Sequence, residues 1–337
     1  MQIKANYPLT KHNTFHIDIR ASYFAEVRTI EDLNLLAKNR LIDENQRLIL
    51  GGGSNILFTQ DFDGIVIHPK FMGIERIDED EKSVVFRAGS GLIWDDFVIY
   101  AIDHDWGGIE NLSNIPGHIG AAPIQNIGAY GAEAREVIEA VEGFQISTRD
   151  FCKFSKKECH FSYRSSVFKE QLKNDFLITH VNFRLSKPPH SLNTSYGVIE
   201  EYLKNYSERS IATVRQAVIS IRASKLPDPE KKGNAGSFFK NPVISGKQAS
   251  FLKERFSDIP QYPVENDSVK IPAAWLIEHV ECKGIRKGNA GTHEKQPLVL
   301  INYGKATGQE ILDLAEFIRE KVWRTFNIQL EPEVNIM

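Results

Sequence analysis

The sequence predicts an α+β chain, and three observations lead to that class. Strand-like runs recur along its length, a few segments carry the 3.6-residue helical period, and neither an internal repeat nor a low-complexity tract interrupts them. At 337 residues the chain is too long for one ordinary domain and suggests two or three.

Residues 1–70 read as a first, βαβ-like part. Asn13-Thr14-Phe15 opens it, FAEVRTI alternates like a strand, and EDLNLLAKN follows with helical character. RLIL then runs into Gly51-Gly52-Gly53-Ser54-Asn55 and a second apolar run, and IVIHP closes the part as a strand ended by Pro69. Residues 71–220 form a second part. It contains the strand SVVFRAGSG, a helix over 94–104, a long Gly/Ala/Asn stretch from 107 to 133, and the strands VEGFQIS and FLITHVNFRL. A third part, 221–325, begins around the break Leu226-Pro227-Asp228-Pro229. Its last helix is the clearest in the chain: Ile311, Leu314, Ala315, Ile318, Val322 and Phe326 fall on one face, with charges opposite. Residues 326–337 form a final strand expected to return to the active site.

Composition narrows the function. Hydrophobic residues make up 42% of the chain, enough for a sizeable core, and the 41 Lys+Arg against 44 Asp+Glu leave a net charge of −3. There is no global basic field of the kind nucleic acid demands. Cys152, Cys159 and Cys282 are odd in number, with no CxxC or zinc spacing, so reduced thiols in a cytoplasmic protein are expected. The N-terminus lacks an apolar signal core and no run of 18 apolar residues occurs, so neither export nor a membrane partner is expected.

Glycine marks three stretches. Gly51-Gly52-Gly53 is able to turn several N–H groups toward one anion, or to make a plain tight turn. Gly89-Ser90-Gly91 follows a strand and opens a helix, but Trp94 stands where a dinucleotide fingerprint needs its third glycine, which removes that reading. The stretch 114–133, NIPGHIGAAPIQNIGAYGAE, is less ordinary. Its low side-chain volume and many free amides suit a backbone laid along an extended, phosphate-bearing cofactor. Ile115, Ile119, Ile124 and Ile127 supply anchors that a disordered linker would lack.

Together the motifs resemble the UDP-N-acetylenolpyruvoylglucosamine reductase family, in its longer variant. The matching stretches are NTF (13–15), LGGGSN (50–55), IPGHIGAAPIQNIGAYGAE (115–133), SYRSSVFK (162–169), KLPDP (225–229), GNAGSFFKNP (233–242) and LEPEV (330–334), in the family's order. The segment SYGVIEEYL (195–203) marks the longer variant. The resemblance implies a vanillyl-alcohol-oxidase-type FAD-binding fold of two α+β subdomains, with FAD held noncovalently, plus a C-terminal α+β substrate-binding domain. It implies NADPH-dependent reduction of UDP-N-acetylglucosamine enolpyruvate to UDP-N-acetylmuramate, a cytoplasmic step of peptidoglycan precursor synthesis. NADPH is expected to reduce the flavin and leave before the substrate takes its place, and a monomer is expected.

The resemblance also places the site. For FAD it points to Gly51, Gly52, Gly53, Ser54, Asn55, Ile115, Pro116, Gly117, Ile119, Gly120, Ala121, Ala122, Gln125, Asn126, Gly128, Ala129 and Gly131. Tyr130, Tyr163, Tyr196, Lys225, Asn241, Tyr262 and Gln296 fall where the family binds substrate, with Lys225 the best match to the diphosphate and Tyr196 on a loop beside it.

Reduction of an enolpyruvyl ether needs a proton donor, a cation at the carboxylate and a supporting acid. Ser237 matches the family's proton donor, and Phe238 and Phe239 behind it ask to be buried. Arg164 matches the catalytic arginine, whose guanidinium suits a carboxylate. Glu331 and Glu333 would share a strand face, so spacing alone leaves both open; the motif selects Glu333. Asn335 stands where relatives often carry arginine. His118 and His293 lack a partner at ligand spacing and read as hydrogen-bonding residues, with no metal implied. A flavin alcohol oxidase on the same fold and a non-enzymatic flavin or nucleotide-sugar sensor are the competing readings.

Overall fold

The computed structural model describes every residue of the 337 except Glu265. The chain divides into two compact units, one made of Met1–Tyr7, Ala21–Gly53 and Asp63–Ser224, the other of Pro8–Arg20, Ser54–Phe62 and Lys225–Met337. Among the described residues no helix is long and apolar enough to cross a membrane.

Two sheets organise the first unit. The smaller has the strand order Ile3–Pro8, Arg20–Val27, Phe62–Pro69, Gln46–Ile49. Its last two strands are parallel, with Leu48 opposite Val66, and the helix Ile30–Ala37 lies between its second and fourth strands in sequence. Thr29 starts that helix through a reciprocal capping box with Asp32. Leu33 and Leu36 pack into the same buried cluster as Ile65 and Ile67.

The larger sheet is antiparallel, in the order Asp150–Ser155, Ile138–Gln145, Phe176–Ser186, Ser83–Gly89, Ile74–Glu79. Gly143 sits at a register shift where an added Cβ would lie 2.4 Å from the Leu177 carbonyl oxygen, so only glycine lets the strands close there. The helix Trp94–Asp103 joins the core of this sheet through Trp94, Phe97 and Val98, and Trp94 meets Phe183 edge-on at 5.8 Å. Burial of each such aromatic contributes about 1.5–3 kcal/mol. A third cluster forms where the helices Gly197–Leu203 and Ile211–Lys225 bury Ile199, Leu203, Val214, Val218 and Ile221.

In the second unit, three short antiparallel strands, Val243–Ser245, Ser268–Lys270 and Tyr262–Val264, make one sheet. Arg286–Lys287, Ala290–Thr292 and Leu300–Asn302 make another. The helix Gly308–Phe326 buries the whole predicted stripe: Ile311, Leu314, Ala315, Ile318, Val322 and Phe326. Thr307 and Glu310 cap its start, and Asn327, in the left-handed region, ends it. The tail then pairs in parallel, Asn335 with Ile56 and Ile336 with Leu57.

Candidate active site

In the first unit, strand Gln46–Ile49 delivers the glycine loop against the stretch that begins at Gly117. An added Cβ on Gly52 would stand 3.2 Å from the Gly117 Cα, and one on Gly51 would stand 3.9 Å from both Ala121 and His118. Any side chain there would fill the space between the two loops. The loops are also tied down. His68 Nδ1 lies 2.7 Å from the Leu50 carbonyl, which fixes that nitrogen as the protonated one. Burial, and beyond it the nearby Lys70 and Arg28, hold the His68 imidazole below its usual range despite that bond. Ile119 and Gly120 donate N–H bonds to the Leu92 and Ser90 carbonyls, and Ile119, Ala122 and Ile127 are buried in the core of the large sheet. Ile115, Ile124 and Ala129 pack on the same core. Gly117 and Gly131 have φ of +124° and +83°, which suits them to backbone that presents N–H groups.

Asn126 is buried, and its carboxamide is engaged with protein: Nδ2 donates to Glu133 Oε2 and to the Ser162 carbonyl, both at 3.0 Å, while Oδ1 accepts from the Arg135 N–H. It therefore fastens the cofactor-like stretch to the segment that carries Arg164. Arg164 itself has φ of +56° and donates through Nη2 to the Gly128 carbonyl at 2.7 Å. The guanidinium sits 5.2 Å from the Tyr163 ring centre, and Lys169 donates to the Arg164 carbonyl. Close packing at Gly128 explains its identity, since a Cβ would fall 2.8 Å from Arg164 Nη1.

Tyr130 and Tyr196 meet edge-to-face, 5.4 Å apart at 90°. Tyr196 immediately precedes the helix Gly197–Leu203. Two arginines that the sequence reading passed over belong to this region. Arg215 forks onto Asp95 at 2.7 and 2.8 Å. Burial opposes ionisation of Asp95, but the fork and the Asn114 N–H outweigh it and hold the carboxyl below its usual range. Arg222 is half-buried, and its Nε is shut off from solvent without a hydrogen-bond partner. Both lie on helix Ile211–Lys225, whose period (Ile211, Val214, Val218, Ile221) was the available signal.

In the second unit, Ser237 lies on an extended segment gripped from both sides. Ser237 pairs with Val299 and Phe239 with Pro332; Phe238 donates to the Leu298 carbonyl and accepts from the Glu333 N–H, both at 2.8 Å. Phe238 and Phe239 are buried, 5.1 Å apart, and Phe238 also meets Phe15. Gly236, at φ +68°, turns the chain into the segment, and its N–H is bonded by Asn234 Oδ1. The NTF motif supports this from behind: the Thr14 carbonyl accepts from Asn234, and a Cβ on Gly233 would collide with the Phe15 carbonyl oxygen at 2.5 Å.

The two glutamates of the tail separate in the structure. Glu331 is exposed and ion-paired with Lys240 at 3.2 Å, whereas Glu333 is half-buried. Asn55 donates to the Glu333 carbonyl and accepts both the backbone and side-chain N–H groups of Asn335. Asn241 Oδ1 accepts from the Ala273 N–H and caps helix Ala273–His279. Burial and then Lys232 hold the imidazole of buried His293 below its usual range, and its Nδ1 is buried without a hydrogen-bond partner. Gln296 sits on the turn that leads to Val299. Tyr262 stands exposed on an edge strand. The three cysteines are free, and among the described residues no cluster of three metal-ligating groups occurs.

The 51–53 and 117–121 loops approach each other closely over small residues, with the His118 ring beside them, and such glycine-rich backbone suits a phosphate-bearing cofactor. A family profile described as an FAD binding domain matches residues 21–150, and one described as the C-terminal domain of UDP-N-acetylenolpyruvoylglucosamine reductase matches 228–337. An FAD-binding domain joined in one chain to a dedicated C-terminal domain defines a flavin-dependent oxidoreductase. The full-length relatives include UDP-N-acetylenolpyruvoylglucosamine reductases of Amoebophilus asiaticus, 47% identical, and Flavobacterium johnsoniae, 44% identical, each aligned over 100% of both chains. The chain belongs to the UDP-N-acetylenolpyruvoylglucosamine reductase family. Among solved structures, the reductase of Thermus caldophilus shares the fold at TM-score 0.68 and 23% identity, covering 99% of this chain and 98% of that one. The 6-hydroxy-D-nicotine oxidase of Arthrobacter nicotinovorans shares it more distantly, at TM-score 0.51 and 15% identity over 91% of this chain and 81% of its own.

Proposed function

We propose that Ser237, Arg164 and Glu333 carry the chemistry of this enzyme. The chain is an FAD-dependent reductase of UDP-N-acetylglucosamine enolpyruvate that uses NADPH and serves peptidoglycan precursor synthesis. Held by residues 51–55 and the chosen positions of 115–131, the flavin, once reduced by NADPH, would supply the hydride for the outer carbon of the enolpyruvyl double bond. The Ser237 hydroxyl delivers the proton to the neighbouring carbon. Arg164 pairs with the substrate carboxylate, where charge builds as the double bond is reduced. Glu333 polarises the developing enolate or holds the serine's proton in place.

The observation that carries this reading is the double grip on the Ser237 segment. A serine is a poor acid in water, so it acts only when held close to its target by a scaffold that does not yield. Pairing to Val299 and Pro332, with two buried phenylalanines behind, supplies that scaffold.

In the same reading, residues 51–55 and the chosen positions of 115–131 hold FAD. Tyr130, Tyr163, Tyr196, Lys225, Asn241, Tyr262 and Gln296 hold substrate. Residues 1–70 and 71–220 serve the flavin, 221–325 the substrate, and 326–337 complete the site. The enzyme works as a cytoplasmic monomer without nucleic-acid or membrane partners.

An anaerobic visible spectrum tests the assignment. In wild type, NADPH bleaches the flavin band and the enolpyruvyl nucleotide restores it. Ser237→Ala bleaches normally but recovers slowly. Recovery of that variant at the wild-type rate would remove Ser237 as proton donor.

A further inference from the structure

Three of the stretches singled out in the sequence meet at one residue. Asn234, only 3% exposed, donates its backbone N–H to the Thr14 carbonyl of NTF at 2.9 Å. Its side-chain Nδ2 donates to the Lys232 carbonyl at 2.7 Å and to the Pro227 carbonyl of KLPDP at 3.4 Å. Its Oδ1 accepts from the Gly236 N–H at 2.9 Å, closing a side-chain turn directly before Ser237. Both ends of the carboxamide are thus committed to backbone.

The Ser237 segment is held differently on its two sides. Downstream, the pairings with Val299 and Pro332 and the burial of Phe238 and Phe239 fix the chain. Upstream, Gly236 stands in the left-handed region at φ +68°, and a Cβ added there would meet nothing within 4 Å. No neighbour packs against that position, so the bond from Asn234 sets how the chain enters the segment. Asn234 has a firm anchor of its own. The 227–232 loop that it grips is closed by the Lys231 and Lys232 N–H groups on the Asp228 carbonyl, and His16 Nε2 lies 3.0 Å from the Pro229 carbonyl.

A proton donor is sensitive to such a support, because misplacement by about 1 Å is able to cost about a hundredfold in rate. We propose that Asn234 is a positioning residue for the Ser237 hydroxyl, its carboxamide anchoring the turn that delivers the serine to the 227–232 loop. This rests on the reading of Ser237 as proton donor. Serine at position 234 would keep a weaker form of the turn bond and lose both amide bonds, whereas alanine keeps neither.

Stopped-flow absorbance on the FAD-loaded enzyme tests it, with the two half-reactions followed separately and the melting temperature taken for each variant. Asn234→Ala should slow reoxidation at saturating enolpyruvyl nucleotide about tenfold, and Asn234→Ser about threefold. Both should reduce their flavin at the wild-type rate with saturating NADPH, a step that takes no proton from the serine. In a Ser237→Ala background, Asn234→Ala should add no further slowing. Should the alanine variant not fold, Asn234→Ser carries the same comparisons. If Ser237→Ala itself reoxidises at the wild-type rate, the proton-donor reading falls and the proposal with it. If Ser237→Ala is slow but the Asn234 variants match wild type, or their losses add to that of Ser237→Ala, Ser237 stands and the positioning role of Asn234 is overturned. Slowing of both half-reactions together with a lower melting temperature would mark Asn234 as purely structural and overturn it as well.

Discussion

Asn335 reaches the carbonyl of Asn55 twice, through its backbone N–H at 3.1 Å and its side-chain Nδ2 at 3.0 Å. Asn55 in turn donates its own amide to the carbonyl of Glu333. Asn335 therefore has a local task, clamping the tail that carries Glu333 to the loop that carries Asn55. Asn335→Ala should lose about 1 kcal/mol of stability, because the backbone bond remains. Asn335→Asp should lose more, about 1–3 kcal/mol, since a carboxylate would face a carbonyl oxygen. Urea unfolding decides it: equal midpoints for the aspartate variant and wild type would mean the side-chain bond contributes nothing.

Glu331 and Glu333 part company by environment. The exposed ion pair of Glu331 with Lys240 is worth about 0–1 kcal/mol and is screened by salt. Glu331→Gln should leave turnover near wild type, while Glu333→Gln should slow it by about a hundredfold. Stopped-flow reoxidation of the reduced enzyme by substrate is the measurement, and the reverse ranking would exchange the two residues' roles.

Two helix-opening glycines differ in what lies beyond them. At Gly308 an added Cβ would stand 1.7 Å from the Phe58 carbonyl oxygen; at Gly197 nothing lies within 4 Å. Gly308→Ala should destabilise by about 3 kcal/mol because backbone must shift. Gly197→Ala should stabilise by about 0.5–1 kcal/mol through the unfolded chain and helix propensity. Thermal melts of the two variants should move in opposite directions.

Burial, with Arg87 second, lowers the His180 imidazole to about 4, against the opposing pull of Glu142. Its Nδ1 lies 3.0 Å from Arg87 Nη2 and its ring meets Phe71. Because the folded value is depressed below the ordinary 6.5, the unfolded chain takes the proton first. The stability His180 gives is therefore complete above about pH 6.5 and is lost as pH falls toward about 4. His180→Asn keeps an acceptor for Arg87 without titrating. Unfolding in urea at pH 7, 5.5 and 4.5 should show a shallower acid loss for the variant; parallel losses would assign the acid sensitivity to other groups.

Local physics made parts of this legible. The stripe of Gly308–Phe326 is a periodicity that burial then honours residue by residue, and the Phe238-Phe239 pair announced its own burial. Helix Ile211–Lys225, beside the Pro-rich break, carries a weaker stripe that does not stand out in the sequence. The forks and clamps were not legible, because Arg215 finds Asp95, and Asn335 finds Asn55, across long stretches of chain that no local pattern records. Nor could spacing separate Glu331 from Glu333, since the difference lies in Lys240 on another segment.

The parallel pairing of Asn335–Ile336 with Ile56–Leu57 bears on the order of events during synthesis. The second unit gathers Pro8–Arg20 and Ser54–Phe62 with Lys225–Met337, so its earliest pieces emerge from the ribosome long before the last strand exists. The first unit has nearly all its strands by residue 186 and can collapse while translation continues. The early strand Ile56–Leu57 must wait, its edge unsatisfied, until residue 336 has been added. A chain cut before Asn335 lacks the strand that pairs with Ile56–Leu57.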